Sequence, residues 1–173
     1  MDSRLRGNDN SFGSRFLGER EREPAVDYAE HTRKEFERGF NCAQIVLSVF
    51  AARLGMDEAL ARRLAAGFGG GVARMGGTCG AVSGAYMALG LKYGSASAGD
   101  HESKETVYRL EREFRNRFEA KHGSTTCRDL LGLDLGREDQ YQEAKDRKLF
   151  QTVCANFVAE AVGILEELMK TNP

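Results

Sequence analysis

The chain has no tryptophan, and its 173 residues include only two prolines, Pro24 and Pro173. Proline removes a backbone donor and clashes inside a helix, so its absence between those positions leaves the body of the chain free to form long uninterrupted helices. An excess of one charge is lacking too: 25 basic residues stand against 26 acidic ones, a net charge of -1. Affinity for a nucleic-acid backbone or an anionic membrane rests on surplus lysine and arginine, and there is none. Long apolar runs are also missing. The most apolar stretch, Cys42 to Ala52, is broken by Gln44 and Ser48, and it falls short of the ~20 residues a membrane helix needs. Met1 to Glu23 is polar and charged, without the apolar centre of a secretory signal. The expectation is a cytoplasmic protein that binds neither nucleic acid nor membrane.

What is present reads as helix. Residues 1–23 carry Gly7, Gly13, Gly18 and the run Asn8-Asp9-Asn10 without periodicity, and are expected to be a disordered tail. Residues 24–173 are long enough for one domain with its own core. Pro24 suits a first helical turn, and Val26, Ala29, Phe36 and Phe40 form one apolar stripe. A second helix, from Asn41 to Gly55, is apolar nearly all round and belongs at the centre of a bundle. Asp57 caps a third, with Leu60, Leu64 and Phe68 spaced four apart as its inner face. Further helices are expected from Thr78 to Tyr93 and from Gly99 to His122, the latter burying Val107, Leu110, Phe114 and Phe118. A short helix opens at Cys127, and a last one ends near Lys170. No strand alternation is visible, so the fold class is all-α: a compact multi-helix bundle with a glycine-rich loop before a central helix.

Four cysteines, Cys42, Cys79, Cys127 and Cys154, are widely separated, with no Cys-x-x-Cys pair. In a reducing compartment such cysteines serve as metal ligands or reactive thiols more often than as structural disulfides. Asn41, Thr78 and Thr126 directly precede three of them, and Thr152 stands two residues before Cys154. Each pattern reads as an N-cap followed by a helix start, where free N–H groups and the helix dipole stabilise a thiolate. All four sulfurs could then share one pocket, with Cys79 holding the lowest pKa. The competing reading is that each cysteine packs as a small hydrophobe.

The stretch Gly67 to Gly80 reads GFGGGVARMGGTCG. It contains no nucleotide-binding spacing. Gly77, Thr78, Gly80 and Gly84 surround Cys79 in sequence and are the candidate cofactor surface. A tight helix–helix crossing at Gly80 and Gly84 accounts for the same glycines equally well.

The segment Gly77-Thr78-Cys79-Gly80-Ala81-Val82-Ser83-Gly84, with one cysteine before it (Cys42) and two after it (Cys127 and Cys154), resembles the signature of the C-GCAxxG-C-C family of redox-active proteins. The resemblance extends from about Pro24 to the C-terminus, and a similar four-cysteine module occurs in split-Soret cytochromes. It implies one redox site built from Cys42, Cys79, Cys127 and Cys154, in an oxidoreductase or electron-transfer protein. In one version the thiolates ligate an iron–sulfur cluster of the 2Fe–2S type or another metal. In the other they cycle between dithiol and disulfide, with Cys79 and Cys42 as the catalytic cysteines, Cys79 the more nucleophilic, and the disulfide pairing open among the three connectivities. A binding module with a structural four-cysteine metal site is the alternative. No C-x-x-C-H is present, so no covalent c-type haem is expected. An unidentified redox partner protein and a homodimer are the expected associations.

Overall fold

The computed structural model describes residues 27–173. The expectations for residues 1–23, and for Pro24 and Val26, lie outside the described residues. Eight α-helices follow in order: α1 (Tyr28–Glu37), α2 (Cys42–Ala51), α3 (Glu58–Leu64), α4 (Gly80–Tyr93), α5 (His101–His122), α6 (Cys127–Leu131), α7 (Glu138–Asp146) and α8 (Ala155–Thr171). Among the described residues there is no strand, only an isolated antiparallel bridge between Thr78 and Thr126. No single helix among them is long and apolar enough to cross a membrane.

Short polar side chains start the helices. Asp27 accepts from the N–H groups of Ala29 and Glu30, Asp57 from Leu60, and Asp100 from Ser103. Asn41 and Gln44 satisfy each other's backbone N–H groups in a capping box, so two of the free donors at the start of α2 are paired. Gly55 and Gly123 end helical segments in the left-handed region, at φ 76° and 80°.

The centre of the bundle is α2, which buries Ile45, Val46, Leu47 and Phe50 completely. Each such side chain contributes about 1.5–3 kcal/mol of transfer free energy. α4 packs most extensively on α2, and glycine makes this possible. A Cβ on Gly84 would stand 2.8 Å from the Ala43 carbonyl oxygen, and one on Gly80 would stand 2.9 Å from Cys42 Cβ. Gly80 and Gly84 therefore serve the helix crossing. α5 and α8 close the far side of α4 through a chain of aromatic contacts, edge-on from Tyr86 to Phe114, stacked from Phe114 to Phe118 and edge-on from Phe118 to Phe157. α1 lies on α8, where the Tyr28 hydroxyl donates to Glu166 at 2.6 Å.

Three expectations change. Leu60 and Leu64 are not an inner face: they are 45% and 52% exposed, and α3 packs through Ala61 and Ala65 instead. Small residues let this seven-residue helix lie close to α2, and its larger side chains then point outward. Helix α7 was not anticipated. It is polar throughout and buries only Ala144, under a second apolar cluster of Cys127, Leu133, Leu135 and Leu149. The last helix also does not begin at a capped Cys154. A π-helical turn, Phe150–Cys154, runs directly into α8, and the Thr152 hydroxyl donates back to the Lys148 carbonyl.

A candidate four-thiol redox site

The site begins with the backbone around Cys79. Gly70, Gly71, Val72, Ala73 and Arg74 all have positive φ, between 48° and 72°. Five consecutive residues thus make a left-handed turn, although three of them carry side chains that disfavour it by about 1–2 kcal/mol each. Bonds spanning the segment hold it: the N–H groups of Ala73, Gly76 and Gly77 donate to the carbonyls of Gly67, Gly70 and Gly71. Gly71 is indispensable here, because a Cβ would lie 2.5 Å from the Gly77 nitrogen. The turn delivers the chain to Gly77 and Thr78, where it meets the strand-like residues ahead of α6. The Cys79 N–H donates to the Thr125 carbonyl at 2.8 Å, and the Cys127 N–H donates to the Gly77 carbonyl at 2.8 Å.

This corrects the reading of Thr78 and Thr126 as side-chain caps. Both residues belong to the backbone bridge. Cys79 is itself the N-cap residue of α4, and the hydroxyl of Thr126 does not cap α6. Cys42 and Cys127 do occupy first helical positions. Cys154 ends the π turn.

All four cysteines line one cavity of about 690 Å³. Its walls also include Phe36, Phe40, Asn41, Gln44, the loop residues Gly67, Gly69 and Gly70, and, from the far side, Leu130, Tyr141 and Phe150. Gly77, Thr78, Gly80 and Gly84, singled out in the sequence, are not part of the lining. The residues that sequence reasoning missed are Arg74 and Tyr141, which stack on each other in the cavity wall. Neither had a signal: Arg74 sits in a glycine-rich stretch and Tyr141 in a polar helix.

The thiols are buried, with residue exposures between 3% and 8%. Burial pushes Cys79 up to about 12, reinforced by the charge of Cys42, while the free N–H groups of Ala81 and Val82 pull it down. The helix start thus acts in the expected direction, but loss of solvent outweighs it. Cys42 is held well above the ordinary thiol value by hydrogen bonding to Cys154 first, then by burial. Cys127 is raised by burial, then by Cys79 and Cys42. The expectation of a depressed Cys79 pKa is not met: burial outweighs the helix start, and Cys42, Cys79 and Cys127 favour the neutral thiol.

A metal group is compatible with this donor set. The lining offers four sulfurs and no carboxylate, imidazole or amine. Among the described residues, no three His, Cys, Asp or Glu side chains gather as they would around a single ion, so the sulfurs border a space rather than converge on a point.

No curated protein and no solved structure matches the chain at a significant level. A family model does: C_GCAxxG_C_C, described as "putative redox-active protein", matches residues 40–168. That span contains all four cysteines and every wall of the cavity except Phe36 and Gly39, and by this match the chain belongs to the C_GCAxxG_C_C family of redox-active proteins.

Proposed function

We propose that the four thiols hold an iron–sulfur cluster, of the 2Fe–2S type, and that the protein passes single electrons to a partner protein. The observation that carries this reading is the sharing of one cavity by Cys42, Cys79, Cys127 and Cys154, with no other metal-binding side chain in its wall. The raised pKa values of Cys42, Cys79 and Cys127 support it. A neutral thiol is a poor nucleophile, whereas a bound cation displaces the proton and stabilises the thiolate outright. Sulfurs spread around a cavity of about 690 Å³ suit a group of more than one metal atom better than a lone zinc. When bound, such a cluster supplies reversible one-electron chemistry at a potential set by burial and by hydrogen bonds to sulfur. The protein's own part is to bring the four ligands together, exclude water with Phe40, Phe150 and Phe157, and hold the glycine-rich backbone close.

A second reading has its own support in the pairing of Cys42 and Cys154 in one cavity, where Cys154 is the first cause of the raised Cys42 pKa. These two thiols would give up two electrons and two protons to an incoming disulfide and close a bond between their sulfurs.

Purification without oxygen separates the two. The cluster reading expects visible absorbance together with iron and acid-labile sulfide. Colourless, metal-free protein that forms a Cys42–Cys154 disulfide on mass mapping favours the second. Colourless protein with stoichiometric zinc overturns both.

A further inference from the structure

The cavity holds more than the sulfur chemistry needs. Its volume of about 690 Å³ falls within the range of sites for small organic molecules, and its wall is divided. The thiols occupy one part. Phe36, Phe40, Leu130, Phe150 and Phe157 make an apolar surface, and among the described residues Arg74 is the only charged side chain in the lining.

Arg74 is held in place. Its guanidinium carbon lies 3.8 Å from the centroid of the Tyr141 ring, and its Nη2 donates to the Tyr141 hydroxyl at 2.9 Å. Stacking of this kind fixes a guanidinium while leaving most of its donors free. Its backbone is fixed as well: Arg74 sits at φ 64° at the end of the left-handed turn, with its N–H bonded to the Gly69 carbonyl at 3.1 Å. Many of the protein's other arginines are engaged by carboxylates. Arg62 reaches Glu35 at 2.8 Å and Glu58 at 2.6 Å, and Arg128 reaches Asp134 at 3.1 Å. Arg74 makes no ion pair among the described residues. A strained backbone that carries an arginine without an acidic partner to the edge of an apolar cavity is arranged for an anion from outside.

We infer that the cysteine cavity takes a small organic anion, a carboxylate or phosphate ester with an apolar body, whose charged group pairs with Arg74 and whose body lies on the phenylalanines beside the thiols. The assignment places that anion beside the proposed redox centre. Its binding, however, does not depend on which redox chemistry the sulfurs perform.

Isothermal titration of the protein as purified, with benzoate, phenyl phosphate and uncharged benzyl alcohol, tests it. Saturable binding of benzoate or phenyl phosphate, tighter than benzyl alcohol, is expected, and the better of the two anions identifies the charged group. R74Q should weaken that anion by about tenfold, the scale of a lost charge-assisted contact, and leave benzyl alcohol unchanged. R74K, which keeps the charge but loses the stacked planar fork, should fall between wild type and R74Q. Equal affinity of wild type and R74Q for the anion overturns the proposal, as does failure of both anions to exceed benzyl alcohol in the wild type. The wild-type comparison stands even if R74Q does not fold. Anion binding without any redox centre would discard the function proposed above and keep this site, whereas a cluster without anion binding would do the reverse.

Discussion

Cys79 and Cys127 are tied together through the main chain rather than through sulfur. Each donates its backbone N–H into the segment that precedes the other, at 2.8 Å in both cases. The two sulfurs are therefore brought to the same cavity by hydrogen bonds that any residue except proline could make. Positioning of the ligands is separate from their chemistry.

From this follows the behaviour of serine variants. Cys79→Ser and Cys127→Ser should each fold, at a cost of about 1–3 kcal/mol for burying a hydroxyl in place of a thiol. Both should lose visible absorbance and iron. Circular dichroism melts alongside metal analysis check this; a variant that keeps its full iron content would remove that cysteine from the ligand set.

The raised thiol pKa values set a dependence on alkaline pH. For reduced, cofactor-free protein, the unfolded chain releases thiol protons near the ordinary value, whereas folded Cys79 holds its proton up to about 12. Across that window the folded state binds more protons, so stability falls as pH rises. The thiols contribute no slope below about pH 8. Above it each raised thiol adds a loss approaching ~1.4 kcal/mol per pH unit. Denaturant titrations at stepped pH should show this fall, and Cys79→Ser should lessen it.

The left-handed turn gives opposite outcomes at neighbouring positions. Gly71→Ala places a Cβ 2.5 Å from the Gly77 nitrogen and should cost at least ~2 kcal/mol, combining a disfavoured φ with overpacking. Val72→Gly removes a β-branched side chain from φ 62° and should be neutral or stabilising by up to ~1 kcal/mol, because relief of strain exceeds the entropy of glycine. Thermal melts decide. Destabilisation by Val72→Gly would mean that packing of the valine outweighs its strain.

Three glycines of one helix provide a graded test of the crossing. Gly84→Ala meets the Ala43 carbonyl at 2.8 Å and Gly80→Ala meets Cys42 Cβ at 2.9 Å, but nothing lies within 4 Å of a Cβ on Gly90. The first two should lose about 1–3 kcal/mol by overpacking. Gly90→Ala should gain about 0.5–1 kcal/mol from helix entropy. Gly80→Ala alone should also disturb the proposed cluster, since it pushes on Cys42.

Much of the fold was legible because local chemistry and burial agreed. Asn41, Gly55 and Asp57 mark helix ends that the structure has, and Val107, Leu110, Phe114 and Phe118 are all buried in α5. Where small residues did the packing, the reading failed. Ala61 and Ala65, not Leu60 and Leu64, hold α3, and Ala144 alone anchors α7. The four cysteines were visible as a set, but their electrostatics were not. A capping pattern shows where amide donors point and is silent about how much water the fold removes, which is the larger influence on Cys79. The left-handed turn was hidden for a similar reason. Glycines announced part of it, but Val72, Ala73 and Arg74 adopt φ values that their own side chains oppose, and only the surrounding hydrogen bonds impose them.

That turn also reverses the usual rule of chirality. From Gly70 to Arg74 the backbone follows the path natural to mirror-image amino acids, for which the left-handed region is the relaxed one. In a chemically synthesised chain, D-alanine at position 73, an exposed site, should therefore fit better than the residue the ribosome installs. The same exchange in the middle of α5 should break the helix.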